Sequence, residues 1–453
     1  MTMTRNHLVV VVLLALTGAT TASVVIRGRG FSPPPSADPD FKMTWAIPDT
    51  NTVTVPGYNG ANYNCTIDWG DGSPVADVTA WNDADLSHSY AAADSYQITI
   101  AGTFERIYFA DAGDKALITS VDNFGSVGWT WLANAFYGCA NLTSIGGDHD
   151  FSAITAISDS FRSCSSLPSL PSGLFAEVTI PNTAIRAFQA SSSLTTLPAG
   201  LFDSCTNTTS FQATFQQCPI QSVPSGFFDN NSLVISFFST FAYGDLASIP
   251  SGLFDNNPLV TTFAYTFYLN NFTSIPAGLF DNNPLVTVFD STFSACSSLT
   301  TAPAGLFDAC TNVVSYAQTF KNCASLTNMV LLTIPASCTT AEDMYSGCAS
   351  LTADASTITN NSAQLSKWGC PDSLMTYQST NGFLSANVMH GLNLEFQGCN
   401  LVSNQVSYIL IDLDTSGATN GVCNLGGDNA APTAAGLTAK TNLVGKTWTV
   451  TTN

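Results

Sequence analysis

The chain has 453 residues, 45% of them hydrophobic, yet only 10% are charged, against about 25% in an ordinary soluble domain. Twelve basic residues face 32 acidic ones, a formal net charge of −20, and the repeated region from Trp129 to Thr352 carries only Arg162, Arg186 and Lys321 as cations. That balance excludes an extended phosphate-binding face and argues against nucleic acid and anionic lipid headgroups as partners.

At the N-terminus, Arg5 precedes an apolar run from Leu8 to Ala15 and the small residues "ATTAS". This is the pattern of a secretory signal ending near Ala22. The uncharged stretch from Leu8 to Ile26 is also close to the roughly 20 residues that span a bilayer. A retained anchor is therefore the alternative. Secretion or anchoring would place the chain outside a cell or on a particle, where a Ser-, Thr- and Asn-rich surface is at home.

A Pro-rich linker, "SPPPSADPD", leads into strand-like alternation in "FKMTWAI", "NTVTV", "NYNCTIDW" and "DSYQITIAGTF". "DWGDGS", Asp68 to Ser73, reads as a tight turn in which the aspartates bond their own backbone. Two carboxylates are too few for a Ca²⁺ site of 6–8 oxygens. The combination of WGDGS, H-x-Y at His88 and Y-x-I-T-I at Tyr96 resembles the PKD-type immunoglobulin-like sandwich. The resemblance implies an extracellular spacer or adhesive module over residues 41–110.

Alignment on F-x-x-C then gives nine copies, beginning at Phe136, Phe161, Phe188, Phe215, Phe241, Phe267, Phe293, Phe320 and Tyr345, at steps of 25–27 residues. A second anchor runs in phase: "LPSGLF", "LPAGLF", "VPSGFF", "IPSGLF", "IPAGLF", "APAGLF". Such a period predicts a solenoid whose coils bury their apolar faces on one another. The run around "LTSIP" is expected to be the strand of each coil, ended by Pro, with Gly at the corner. Strands about 4.8 Å apart give a stack of roughly 43 Å. Phe202, Phe228, Phe254, Phe280 and Phe307 are expected to form one internal ladder. Phe211, Phe237, Phe263, Phe289 and Tyr316 are expected to form another.

Thirteen cysteines, an odd number, do not read as a disulfide framework. Six copies carry Cys at the fourth motif position; Ser191, Gly244 and Asn270 fill the others. The position therefore accepts small side chains, and Cys there reads as a buried small hydrophobe. Disulfides between adjacent coils, Cys139–Cys164 or Cys323–Cys348, are the alternative.

"FYGCANLTSI" and its echo "FSACSSLTT" resemble the BspA-like leucine-rich-repeat surface proteins. That resemblance implies a non-catalytic adhesive solenoid binding host proteins, cells or surfaces. The organisation is then a signal peptide or anchor (1–22), a linker (23–40), a PKD-like β-sandwich (41–110), a leucine-rich-repeat solenoid of about nine coils with parallel strands (111–352), and a β/α capping unit (353–453). The fold class is mainly β with some α. In the cap, "LNLEFQGCNL", "VSYILIDL", "NGVCNL", "PTAAGLTAKTNL" and the last residues read as strand, helix, strand, helix, strand, with Pro432 at a helix start. "DLDTSG" from Asp412 opens like a Ca²⁺ loop, but its twelfth position is Cys423 where a bidentate Glu is required.

His7, His88, His149 and His390 lie far apart, and no metalloprotease, nucleophile-elbow or phosphate-loop motif occurs. The Asp of "LFD" recurs as Asp203, Asp229, Asp255, Asp281 and Asp308, which marks a structural turn rather than a catalytic acid. The expectation is a non-enzyme without cofactor or metal. It would be a surface adhesin recognising a protein or glycan on a host, cell or particle. A virion component such as a phage tail or fibre protein, open to self-assembly, is the alternative, and a secreted polysaccharide hydrolase the remote third. Specificity should lie where the copies disagree. Phe238, Tyr243, Tyr265 and Tyr268 interrupt small polar residues and are the candidate ligand contacts; packing against neighbouring coils is the competing role for these rings.

Overall fold

The computed structural model describes residues 38–49, 51–179, 183–327, 337–338, 340, 343–350, 393–395, 403–415, 419–427 and 429–453. The expected signal or anchor, most of the linker, and the join between the last coil and Asn393 lie outside these residues.

The front of the chain is built by alternation. In β1 (Phe41–Ile47), Phe41, Met43, Trp45 and Ile47 are buried while the residues between them are not. One face of the strand thus meets the core. β1 runs antiparallel to β6 (Asp94–Phe104), from Phe41 opposite Ile100 to Ile47 opposite Asp94. β3 (Tyr63–Asp68) lies on the other side of β6, with β4 (Ala76–Val78) beyond it. A second, two-stranded sheet joins β2 (Thr52–Thr54) to β5 (Ser87–Ser89).

The larger sheet does not stop at residue 110. β7 (Ile118–Asn123) adds to the free edge of β1, and β8 (Ser144–Ile145), inside the first "LTSI", pairs parallel to β7. The strand order is β4-β3-β6-β1-β7-β8. The first coil therefore covers a sheet edge that would otherwise offer unpaired backbone groups.

In the "DWGDGS" turn, Asp68 Oδ1 accepts the Gly70 N–H at 2.9 Å and Asp71 Oδ1 accepts the Ser73 N–H at 2.9 Å. Asp71 Oδ2 also meets His88 Nε2 at 2.8 Å. Hydrogen bonds from Ser73 and His88 hold the Asp71 carboxyl down to about 2. A depressed carboxyl contributes stability that is complete above its unfolded value, about 3.9, and is lost as pH falls through the folded one. Asp71→Asn is expected to flatten the pH dependence of unfolding between about pH 4 and pH 2. Chemical denaturation across that range measures it, and an unchanged slope would discard the linkage.

From Trp129 onward the backbone advances coil by coil. Parallel bridges join Thr183 to Ser210, Ser210 to Ser236, Ser236 to Thr262, Thr262 to Val288, Val288 to Ser315 and Ser315 to Thr340. Around each bridge the bonds alternate in direction: Thr261 N–H donates back to Ile235 O at 2.9 Å, and Phe263 N–H donates forward to Val288 O at 3.1 Å. The expected "LTSIP" strand is reduced to single bridges such as Thr196–Ser222 and Ser274–Thr301. A Pro follows two residues later, at Pro198, Pro224, Pro276 and Pro303, and supplies no donor to prolong a ladder. The more continuous ladder runs instead through the "SFQATF"-type segment.

The expected aromatic column from Phe211 to Tyr316 is present whole in the core; the one expected from Phe202 runs from Phe228, because Phe202 stacks instead on Phe175 and meets Phe227 edge-on. Phe211, Phe237, Phe263, Phe289 and Tyr316 stack at 5.7–5.9 Å with planes within 12°. Phe228, Phe254, Phe280 and Phe307 stack at 5.9–6.3 Å. A third column is formed by the motif aromatics themselves, from Phe136 to Tyr345, at 5.3–6.0 Å. At the corners, Gly252 holds φ +70°, and a Cβ there would come 2.8 Å from the Asp255 carboxylate. The G-L-F-D spacing thus fixes an exposed Asp over a left-handed Gly, the structural part expected of the recurrent aspartates.

Buried side-chain donors tie the coils together. Cys164, Cys218, Cys296, Cys323 and Cys348 each direct Sγ at the carbonyl of the preceding coil's motif Phe, at 2.9–3.2 Å. Ser191 does so through Oγ at 3.0 Å and Asn270 through Nδ2 at 2.8 Å. The position wants a small donor, not merely a small side chain; Gly244 is the exception. A second column combines Asn and Cys: Asn231, Asn257 and Asn283 each donate to two carbonyls of the coil before at 3.0–3.1 Å. Cys310 takes the same place at 3.5 Å from Asn283 O.

The eleven described cysteines are buried, and Cys139, Cys164, Cys323 and Cys348, the candidates for disulfides between coils, carry free thiols. Burial pushes the thiols of Cys205, Cys218, Cys296, Cys310 and Cys348 up to about 12. Alkylation of the native chain at pH 8 is expected to label these sites roughly a hundredfold more slowly than after unfolding, because the thiolate is the nucleophile. Peptide mass spectrometry reads the outcome site by site, and rapid native labelling of Cys218 or Cys296 would contradict it.

The C-terminal segment has the expected order: β9 (Asn393–Glu395), α1 (Ser403–Thr415), β10 (Val422–Leu425), α2 (Ala434–Gly445) and β11 (Thr449–Thr452). Its strands are parallel in the order β11-β10-β9. Pro432 stands just before Thr433, the N-cap of α2. "DLDT" lies within α1, where Asp414 takes Lys446 Nζ at 2.8 Å and Asn442 Nδ2 at 2.7 Å, so these residues form no cation loop.

Candidate functional site

The four candidate contacts arise from adjacent coils. Phe238 and Tyr243 flank the motif start at Phe241, and Tyr265 and Tyr268 flank the one at Phe267. Tyr243 N–H donates to Tyr268 O at 2.8 Å, so the two coils are in direct register here. The backbone is left-handed at Tyr243 and Tyr265 (φ 58° at both), as at the equivalent positions Ser239, Ser291 and Gln217 of other coils. Each coil turns sharply at these places; Tyr243 and Tyr265 are exposed at the turns, while Thr266 and Phe267, between Tyr265 and Tyr268, are buried.

The fold brings all four rings together. Phe238 lies 5.7 Å from Tyr265, Tyr265 5.7 Å from Tyr268, and Tyr268 5.1 Å from Tyr243. Their planes are inclined at 57–67°. Phe238 and Tyr265 are each 37% exposed and Tyr243 47%, while Tyr268 is half-buried. Leu269, 44% exposed, extends the patch. Sequence reasoning passed it over, although it stands at the motif position of Tyr243, where the remaining copies carry Gly, Ser, Ala, Gln or Asn.

Along the same face the neighbouring coils are polar. Gln189 and Gln216 hydrogen-bond to each other on one side of the patch. On the other, Asp290 accepts the Ala317 N–H at 3.1 Å and the Ser315 hydroxyl. Further along, Asp159 holds Arg186 at 2.9 Å and Arg162 at 3.2 Å, and Lys321 meets Asp343 at 2.9 Å. The three cations of the coils are thus all ion-paired.

No family model matches the chain, and no curated protein matches it. Among solved structures, the chain is similar to the APL1 leucine-rich repeat domain at 16% identity over 54% of this chain and 60% of that one, with a TM-score of 0.27. It is similar to the Drosophila Toll–Spatzle complex at 15% identity over 73% and 46%, TM-score 0.25. It is also similar to the TLR13–ssRNA13 complex at 13% over 70% and 58%, TM-score 0.22. The chain spans less than two thirds of each of these. At such scores the likeness carries no weight, and the coil architecture stands on the internal bridges, ladders and ring columns described above.

Elsewhere, a cavity of about 430 Å³ in the front sheets is lined by Trp69, Ser73, Asp77, Asp85, Ser87 and His88 among others. Among the described residues no group of three His, Cys, Asp or Glu side chains is placed to hold a metal, and no helix is long and apolar enough to cross a membrane.

Proposed function

We propose that the chain is a non-enzymatic extracellular recognition protein: a PKD-like β-sandwich followed by a BspA-like leucine-rich-repeat solenoid with parallel strands. It binds a protein or glycan on a cell or particle surface through the Phe238–Tyr243–Tyr265–Tyr268 patch. The observation that carries this reading is the patch itself. Four residues that break the repeat pattern, drawn from two coils, converge on one exposed surface where the stack has no need of them. Core aromatics are consumed in three internal columns; these four stand outside all of them. Exposed aromatics with few rotatable bonds make strong anchors for a partner.

Affinity capture with the full chain as bait tests the reading. The pair Tyr265→Ser and Tyr268→Ser is expected to weaken capture of its partner at least about tenfold, with circular dichroism and thermal unfolding unchanged. Loss of the folded state would return these rings to a packing role, and undiminished capture would move the contact surface elsewhere.

A further inference from the structure

The chemistry of the patch narrows its partner, given the reading that it is the contact surface. From Trp129 to Thr352 the coils carry eleven aspartates and two glutamates against three cations. All three cations are already committed, Arg162 and Arg186 to Asp159 and Lys321 to Asp343. The carboxylates flanking the patch are held by neutral donors: Asp245 by the Asn271 amide, Asp290 by Ser315 and the Ala317 N–H. The surface thus offers negative charge and aromatic faces with no positive charge to balance them.

Ring geometry points the same way. A flat saccharide ring is served by a flat platform, whereas these planes incline at 57–67°. Rings inclined in this way can both contact one cation, as Tyr58 and Tyr108, inclined at 64°, do with the Arg106 guanidinium. Two of the molecule's own arginines lie against rings. Arg106, 7% exposed and without a carboxylate partner among the described residues, has its guanidinium carbon 3.5 Å from the Tyr58 ring centre and 4.8 Å from those of Tyr108 and Trp131. Arg162 lies 4.7 Å over Tyr137. The rings of Phe238, Tyr243, Tyr265 and Tyr268 are inclined to a comparable degree, and Phe238, Tyr243 and Tyr265 are exposed.

We propose that this patch receives Lys and Arg side chains of a basic protein segment, with the rings holding the cations and Asp245 and Asp290 supplying the surrounding field. The test titrates the full chain with two fluorescein-labelled peptides of about 12 residues, one alternating Arg with Pro and one with Gln in place of Arg. The Arg peptide is expected to bind at least about tenfold more tightly than the Gln peptide, and more weakly as salt rises. The pair Tyr265→Phe and Tyr268→Phe keeps the π-faces and should bind within about twofold of the native chain. The pair Tyr265→Leu and Tyr268→Leu keeps apolar bulk and net charge but should lose about tenfold or more. Equal binding of the Leu and native forms would overturn the proposal, because acidity or apolar contact alone would then explain the affinity. Binding of a neutral oligosaccharide such as cellohexaose that the Leu pair abolishes, with no binding of the Arg peptide, would overturn it too while leaving the patch as the contact surface. Partner capture undiminished by the Ser variants would remove both.

Discussion

Phe263→Ala is expected to cost about 3–5 kcal/mol, the range for truncating a fully buried aromatic. The ring is 0% exposed. It is stacked at 5.7 Å on Phe237 and 5.9 Å on Phe289, and wedged at 4.6 Å against Phe254 and 4.7 Å against Phe280. Those neighbours belong to two columns in three successive coils. None can move into the void without leaving its own stack, so the cavity stays open. Because each coil touches only the next, a defect in a central coil also weakens the coupling between the two halves of the stack. Urea unfolding followed by circular dichroism should show a lower midpoint and a broader or divided transition. Tyr265→Ser, two residues along but on the outer surface, should change stability by less than about 1 kcal/mol. Comparable losses from the two would mean that inner and outer positions have been confused.

That pair also marks what the sequence makes legible. Columns of Phe could be read from spacing alone, since stacked coils place residues one period apart in contact. The exposed patch could be read as disagreement between copies, because residues not facing their own equivalents are free to vary. The donor columns were harder to see. Cys, Ser and Asn at one motif position look like a preference for small size, and the shared chemistry, a donor aimed at the carbonyl of the preceding Phe, shows only when Cys164, Ser191 and Asn270 are seen to do the same thing. Strands were misplaced for a related reason. "LTSIP" has the better β composition, yet its Pro limits the ladder, while "SFQATF" pairs coil to coil despite left-handed residues such as Ala213. The continuity of the sheet past residue 110 was invisible because the pairing of β7 with β1 joins segments some 75 residues apart, a separation no local pattern encodes.

The C-terminal unit carries the other large effect, Gly436→Val, expected to cost about 3 kcal/mol. Composition gave the strand and helix order but not the place where the helices cross. A Cβ at Gly436 would lie 2.6 Å from the Ser407 hydroxyl and 2.8 Å from Ser407 Cα. Backbone cannot yield as a flexible side chain can, so α1 and α2 must separate, an overpacking cost of about 1–3 kcal/mol. Separation would also strain the bonds in which Ser407 Oγ accepts from Thr433 N and Oγ1 at 2.8 Å, the link fixing the start of α2. Helix propensity opposes this loss, since Gly is about 1 kcal/mol worse than Ala in a helix interior. Gly445, in the same helix with open space around its Cβ position, isolates that term. Gly445→Ala should be neutral or slightly stabilising, and Gly436→Ala destabilising despite its gain in propensity. Hydrogen exchange of residues 403–453 reads the unit separately from the coils. Faster exchange in α1 and α2 for the Gly436 variants alone is the expected pattern, and equal behaviour of the two glycines would show that the helices do not meet at Ser407.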